Sequence, residues 1–242
     1  MSSGIEDLVP ESGREPRRGA DVATAIAEQL RRAIFNGRLQ PGVRLTEQRL
    51  AEHFAVNRAR IRAVLQTLAH ERLLQIVTNR GAVVATPGIE EARQLFAARR
   101  AIESVTTESA ARVVLTHQLG GLRRSIELQR ATSNAGRFND GLKAMGEFHR
   151  SLAQIANNKV VVEVLQPLLI RTSLVVAVYG HHQTLSAVPD LHAAIVDRLE
   201  AGTATAAARA MERALFTLEH QLDFRRRYTE IGKIGAALHI ID

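Results

Sequence analysis

The sequence predicts a mainly α-helical chain in two parts: three helices closed by a β-hairpin, followed by an all-α bundle of about six helices. Three observations carry this. Apolar residues recur at helical spacing from residue 21 to residue 70. Two short β-branched runs then flank the turn Thr78-Asn79-Arg80-Gly81. Beyond Thr86-Pro87-Gly88 nothing alternates with period two, and long Ala/Leu/Arg/Glu stretches are parted by brief breaks. A chain of 242 residues with 45% hydrophobic residues has material for real cores and is not of disordered composition.

Residues 1–20 read as a disordered leader, polar and interrupted by Gly4, Pro10, Gly13 and Pro16, with no apolar signal-peptide core. Val22, Ile26, Leu30 and Ile34 mark the buried stripe of the first helix, and Gly37 is placed to end it. Pro41-Gly42 makes a turn. Thr46 is the expected N-cap of a second helix, with Glu47 at the positive end of its dipole and Leu50, Ala51 and Phe54 toward a core. After a break at Ala55-Val56, Asn57 caps a third helix whose stripe is Ile61, Val64, Leu65 and Leu68. Leu74 to Val77 and Ala82 to Ala85 form the hairpin. The domains are therefore expected at 21–87 and 88–230, with a tail at 231–242. Within the second domain the breaks are expected near Leu119-Gly120-Gly121, Thr132 to Gly136, Asn157-Asn158, Gly180 to Pro189 and Ala201-Gly202-Thr203.

Composition excludes several chemistries. With no Cys there is no disulfide framework, thiolate zinc finger, iron–sulfur cluster or cysteine nucleophile. The longest apolar run, Leu168 to Val178, is broken by Arg171, Thr172 and Ser173, so no membrane span is expected and a cytoplasmic protein is. The formal charge is +7, and it is unevenly placed. Seven arginines against three acids between Arg44 and Arg80 put a net +4 there. Basic surfaces attract phosphate, and arginine can fork onto guanine or phosphate where lysine cannot.

Helix, turn, helix and a basic hairpin tip in that order describe a winged helix-turn-helix. Arg58, Arg60 and Arg62 cluster at the start of the third helix, where a recognition helix meets the major groove. Arg80 and Gly81 lie at the hairpin tip, where glycine lets the backbone approach a minor groove.

The pieces Gly37…Pro41-Gly42, Leu45-Thr46-Glu47, Leu50-Ala51-Glu52, Val56-Asn57-Arg58, Arg62 and Asn79-Arg80-Gly81 resemble the DNA-binding domain of the GntR family of bacterial transcription regulators. The resemblance implies Arg58 and Arg62 as the main base or phosphate contacts, with Ala59, Arg60, Gln48, Asn57, Arg80 and Gly81 as further candidates. The family usually has Ser at the place of Asn57, Thr-Pro at Ala59-Arg60 and Glu at Ala63. An altered operator preference is the expected consequence.

Residues 89–230 resemble the all-α effector (FCD-type) domain of the FadR-like branch, on Arg99-Arg100-Ala101-Ile102-Glu103, Phe148-His149-Arg150, Asn158 and Leu191-His192. Relatives of that kind build a metal site from an Asp one turn before the first His, that His, a later His and one on the last helix. Here Met145 stands in the first place and Ala214 in the last, leaving His149 and His192. His220 lies six residues past Ala214, about 9 Å along the axis and on another face. Two imidazoles fall short of the three or four ligands zinc takes, so no cofactor is expected, with His181-His182 as the open source of another ligand. The pocket is expected to include Arg99, His149, His192, Met145, Arg171 and Ala214. A small organic effector more apolar than a dicarboxylate follows, any carboxylate pairing with Arg99 or Arg171. The plain alternative for Arg99 is a surface ion pair with Glu103 at i+4.

The reading this supports is a ligand-responsive, sequence-specific transcription regulator, a homodimer on an inverted-repeat operator of double-stranded DNA, repressing a catabolic operon until its effector arrives. Two other classes compete: a metal- or His-dependent helical-bundle enzyme fused to a DNA-binding domain, and a non-specific architectural DNA binder. The sequence holds no Gly-x-Ser-x-Gly elbow, P-loop, dinucleotide fingerprint or His-Glu-x-x-His motif.

Overall fold

The computed structural model describes residues 19–78 and 80–225. The predicted leader up to residue 18, Asn79 at the hairpin tip and the tail 231–242 lie outside the described residues. The described chain divides between Thr86 and Pro87 into two compact units.

In the first unit α1 (Gly19–Phe35) begins two residues earlier than the spacing suggested. It buries Ile26, Leu30 and Ile34, and Gly37 follows it with a positive φ of 69°. β1 (Arg44–Leu45) was not foreseen; two residues carry no pattern of their own, and they form a strand only because β3 pairs with them. α2 (Glu47–His53) and α3 (Arg58–His70) start on the expected caps: Thr46 Oγ1 accepts from Arg49 N at 3.4 Å and Asn57 Oδ1 from Arg60 N at 2.9 Å. Leu50 and Ala51 are buried as expected, whereas Phe54 is only half-buried. Ile61, Val64, Leu65 and Leu68 form the core face of α3, which packs on α1 and α2. β2 (Leu74–Val77) and β3 (Gly81–Val84) close the wing, β3 starting one residue before the expected run. The sheet order is β1-β3-β2, all antiparallel, in the register Leu45↔Ala82 and Val77↔Gly81.

The second unit is helical: α4 (Ile89–Ala111), α5 (Thr116–Asn134), α6 (Phe138–Ile155), α7 (Lys159–Tyr179), a 3-10 turn (His182–Leu185), α8 (Val188–Glu200) and α9 (Ala204–His220). The six α-helices match the expected number. One break differs: α5 runs straight through Gly120 and Gly121, and the interruption falls at Arg112–Leu115. The Gln118 side chain accepts from Leu115 N at 2.8 Å, which starts the helix ahead of the glycines. α4 packs against α9, α7 and α6, while α5 packs against α6 and α8.

α7 corrects the expectation about apolar length. Its 21 residues include an 18-residue window of mean hydropathy 1.8, long and apolar enough by composition to cross a membrane. The polar residues that seemed to break the run are absorbed within the unit. Thr172 and Ser173 donate to the carbonyls of Leu168 and Leu169, and Arg171 Nη2 lies 2.5 Å from Glu91 Oε1 on α4. Its Leu165, Leu169, Ile170 and Leu174 are buried, and the helix packs against α4 and α6 as a core helix does.

Candidate nucleic-acid interface and effector cluster

The first site begins at the turn between α2 and α3. Ala55 takes φ 51° there, a left-handed conformation that costs a side-chain-bearing residue about 1–2 kcal/mol. The bend opens an open groove lined by Gln48, Ala51, Glu52, Ala55, Val56, Asn57, Arg58 and Arg60. Four of the sequence candidates, Gln48, Asn57, Arg58 and Arg60, thus share one surface. Asn57 uses its side chain to cap α3, and Gln48 Nε2 donates to Glu52 Oε1 at 3.0 Å.

Arg58, Ala59 and Arg62 are exposed on α3. Arg62 is held outside this groove by Glu47, Nε to Oε1 and Nη2 to Oε2, each 2.8 Å. The hydrogen bond from Arg62 holds the Glu47 carboxyl below its ordinary pKa. At the wing, Arg80 is exposed and its N–H donates to Val77 O at 2.9 Å. Gly81 has φ +86°, and a Cβ there would stand 2.2 Å from the carbonyl oxygen of Leu45. Glycine is required at the tip by both backbone angle and space.

The second site lies inside the helical unit. Arg99, Glu103 and Thr107 sit at successive four-residue steps on the buried face of α4. Arg99 Nε donates to Glu103 Oε1 at 2.5 Å, and Glu103 Oε2 lies 2.5 Å from His149 Nδ1 on α6. The Arg99–Glu103 pair therefore exists, but buried rather than on the surface as its i+4 spacing had suggested. The His149 ring meets that of His192, on α8, edge to face at 4.9 Å. His192 stacks on Phe148 at 3.9 Å, and its Nδ1 is 2.9 Å from Gln129 Oε1 on α5. Four helices thus converge on one polar cluster in an apolar interior.

Its electrostatics follow from burial. Burial alone would raise the Glu103 pKa, yet Arg99 and His149 outweigh it and hold the carboxyl down to about 2. Burial pushes His149 below its ordinary value against the pull of Glu103, and pushes His192 well below it. Arg99 Nη2 and Thr107 Oγ1 are buried here with no hydrogen-bond partner among the described residues, and His149 Nδ1 has only its ion-pair contact to Glu103.

Met145 and Ala214, at the positions where the family resemblance implied an Asp and a His, are both buried. His220 is exposed, with Nδ1 at 2.9 Å from Phe216 O, and His181 is exposed too. Among the described residues no three His, Asp or Glu side chains are grouped to hold a metal ion. A thioether and a methyl in place of two ligands do not fit a zinc site. Arg171 is spent on Glu91 at the opening turn of α4, eight residues before Arg99, so the structure does not bring it to the cluster. Sequence reasoning missed Thr107, Gln129 and the Glu47–Arg62 pair. The four-residue steps from Arg99 could have flagged Thr107.

Residues 22–84 match the family described as Bacterial regulatory proteins, gntR family, and residues 94–216, about half the chain, match the FCD domain. The chain belongs to the GntR family. Among its relatives, the HTH-type transcriptional repressor RspR of Escherichia coli is 29% identical over 136 residues, covering 56% of this chain and 60% of RspR. This chain thus spans less than two thirds of that relative's length. A probable D-xylose utilization operon transcriptional repressor of Paenarthrobacter nicotinovorans is 26% identical over 78% of this chain and 84% of its own. A solved putative GntR transcriptional regulator from Rhodococcus sp. RHA1 superposes with TM-score 0.73 at 26% identity, over 83% of this GntR-family chain and 97% of its own. Escherichia coli McbR/YncC shares the fold at TM-score 0.72 and 16% identity, over 81% and 93% of the two chains.

Proposed function

We propose that this GntR-family chain is a sequence-specific DNA-binding repressor, acting in the cytoplasm as a homodimer and released from its operator by a small organic effector. The observation that carries the reading is the basic start of α3, where Arg58, Arg60 and Arg62 stand on a capped helix beside an open groove. A capped, rigid helix presents these side chains to base edges at little conformational cost. The names of two relatives, a transcriptional repressor and a probable D-xylose utilization operon repressor, support repression as the outcome.

The buried cluster supports the effector side. Arg99 Nη2 and Thr107 Oγ1 need partners, and a buried orphan donor costs about 1–3 kcal/mol until it finds one. A small carboxylate or hydroxyl-bearing molecule supplies one acceptor to Arg99 and one hydrogen bond to Thr107. Because Glu103 already offsets the charge of Arg99, and both imidazoles are held toward the neutral form, a second carboxylate has no cation to meet. The effector is therefore a monocarboxylate or a neutral polar molecule, bound without metal beside Met145 and Ala214. It shifts DNA affinity by as much as it distinguishes the free and bound arrangements.

The test is selection of duplexes from a randomised library with the full chain. Enrichment of an inverted repeat with half-sites about one helical turn apart supports a dimeric reader. A selected pool with no common sequence refutes it.

A further inference from the structure

Glu47 opens α2 directly after its Thr46 cap, and Arg62 lies in the second turn of α3. The Arg62 side chain is 63% exposed while that of Glu47 is 23% exposed, so the acid is the fixed partner and the arginine the reaching one. An exposed arginine has a flexible stem and holds no single pose unaided, and ordering it on DNA costs binding free energy. Here two N–H···O bonds of 2.8 Å fix the guanidinium plane. The fork consumes one N–H on Nε and one on Nη2. Three of the five donors remain, two of them along the edge made by Nη1 and Nη2. That edge can still fork onto the O6 and N7 of a guanine or onto two phosphate oxygens.

We propose that Glu47 is a positioning residue for operator reading: it grips the side edge of Arg62 so that the end edge is presented to a base in fixed orientation. The proposal rests on α3 being the helix that enters the major groove. Its anchor is the neighbouring cap, which ties the first turn of α2 in place through Arg49 N and so keeps the carboxylate from following the arginine outward. The low pKa that Arg62 imposes keeps the carboxylate ionised through the neutral range.

This arrangement has a signature that a scaffold residue lacks. A carboxylate near phosphates opposes DNA binding in general, so its value is confined to the correct sequence. Replacing it lowers specific affinity while leaving non-specific affinity equal or higher. A residue needed only for folding lowers both together. A residue that competes with DNA for Arg62 raises specific affinity when removed.

The experiment measures Kd by fluorescence anisotropy for a duplex selected from a randomised library by the wild-type chain, and for a scrambled duplex of equal length. The variants are Glu47→Gln, Glu47→Asp, Arg62→Ala and the double Glu47→Gln/Arg62→Ala. Expected is about a tenfold fall in the selected-to-scrambled ratio for Glu47→Gln and Glu47→Asp, from weaker binding to the selected duplex alone. In the Arg62→Ala background, Glu47→Gln has no further effect on the ratio. Glu47→Asp keeps the charge at the helix start and the fold, so it decides the matter if Glu47→Gln melts. An unchanged ratio in both Glu47 variants, an equal loss on both duplexes, or tighter specific binding overturns the proposal. If instead Arg62→Ala leaves the ratio intact, it is the reading of α3 that fails.

Discussion

Oε2 of Glu103 lies 2.5 Å from Nδ1 of His149, and both residues are 2% exposed. With Arg99 on its other oxygen, Glu103 joins a buried guanidinium to a buried imidazole. Removing one member of a buried ion pair strands the other in a medium that solvates it poorly. Glu103→Gln should therefore destabilise the chain by about 3–5 kcal/mol, read as a lower midpoint in guanidinium unfolding. Arg99→Met/Glu103→Leu, which removes both charges, should cost less than the single variant. A single variant as stable as wild type would show that the pair does not form.

Acid should loosen the chain in two stages. In the unfolded chain both histidines titrate near 6.5, whereas burial lowers them in the fold. Below 6.5 the unfolded state takes up the protons first, so stability falls with falling pH by up to about 1.4 kcal/mol per unit for each histidine. Glu103 acts later. Its contribution is whole above about 4.5 and lost as pH drops toward 2. Unfolding midpoints at pH 7.5 and 5.5 isolate the histidine stage. The double variant His149→Gln/His192→Gln should flatten the difference, and a wild-type midpoint equal at both pH values would contradict the assignment.

Two backbone positions in the DNA-binding unit should respond in opposite directions. Gly81→Ala forces a Cβ to within 2.2 Å of Leu45 O and should abolish operator binding by displacing β1 from β3 at the wing. Ala55→Gly relieves the φ of 51° and should raise stability by about 0.5–1 kcal/mol, the strain relieved less the entropy glycine gains when unfolded. Thermal unfolding and anisotropy check both. Loss of stability in Ala55→Gly would mean that the methyl group packs there.

The missing metal ligands can be put back. Met145→Asp/Ala214→His supplies the acid and imidazole that the family resemblance implied, on the same two helices. The double variant should bind one zinc ion per chain in isothermal titration, and the wild type should bind none tightly. Stoichiometric zinc on the wild type, retained through dialysis, would overturn the metal-free reading of this cluster.

What the sequence disclosed depended on range. Thr46 and Asn57 were legible as caps because a cap is a local bond to the residue three positions on. The stripe of α3 was legible because it is uniformly apolar. β1 was not, since its two residues are a strand only by pairing with β3. The break before α5 was misplaced because two glycines in a row are stronger local punctuation than Gln118 reaching back to Leu115. The buried polar cluster was half legible. Arg99, His149 and His192 could be named, but the buried face of α4 carries Arg99, Glu103, Thr106 and Thr107. A polar inner face erases the hydrophobic pattern, so the spacing of Arg99 and Glu103 could not say whether they faced water or the core.

The central claim is that α3 reads sequence rather than merely holding charge against phosphate. Its most direct measurement is the ratio of Kd values for scrambled and library-selected inverted-repeat duplexes, titrated over salt. The account predicts that both affinities fall steeply with salt while the selected duplex stays about a thousandfold or more tighter near physiological ionic strength. Arg58→Ala and Arg62→Ala should each collapse that ratio by about 1–3 kcal/mol. Equal affinity for the two duplexes at every salt concentration would contradict it.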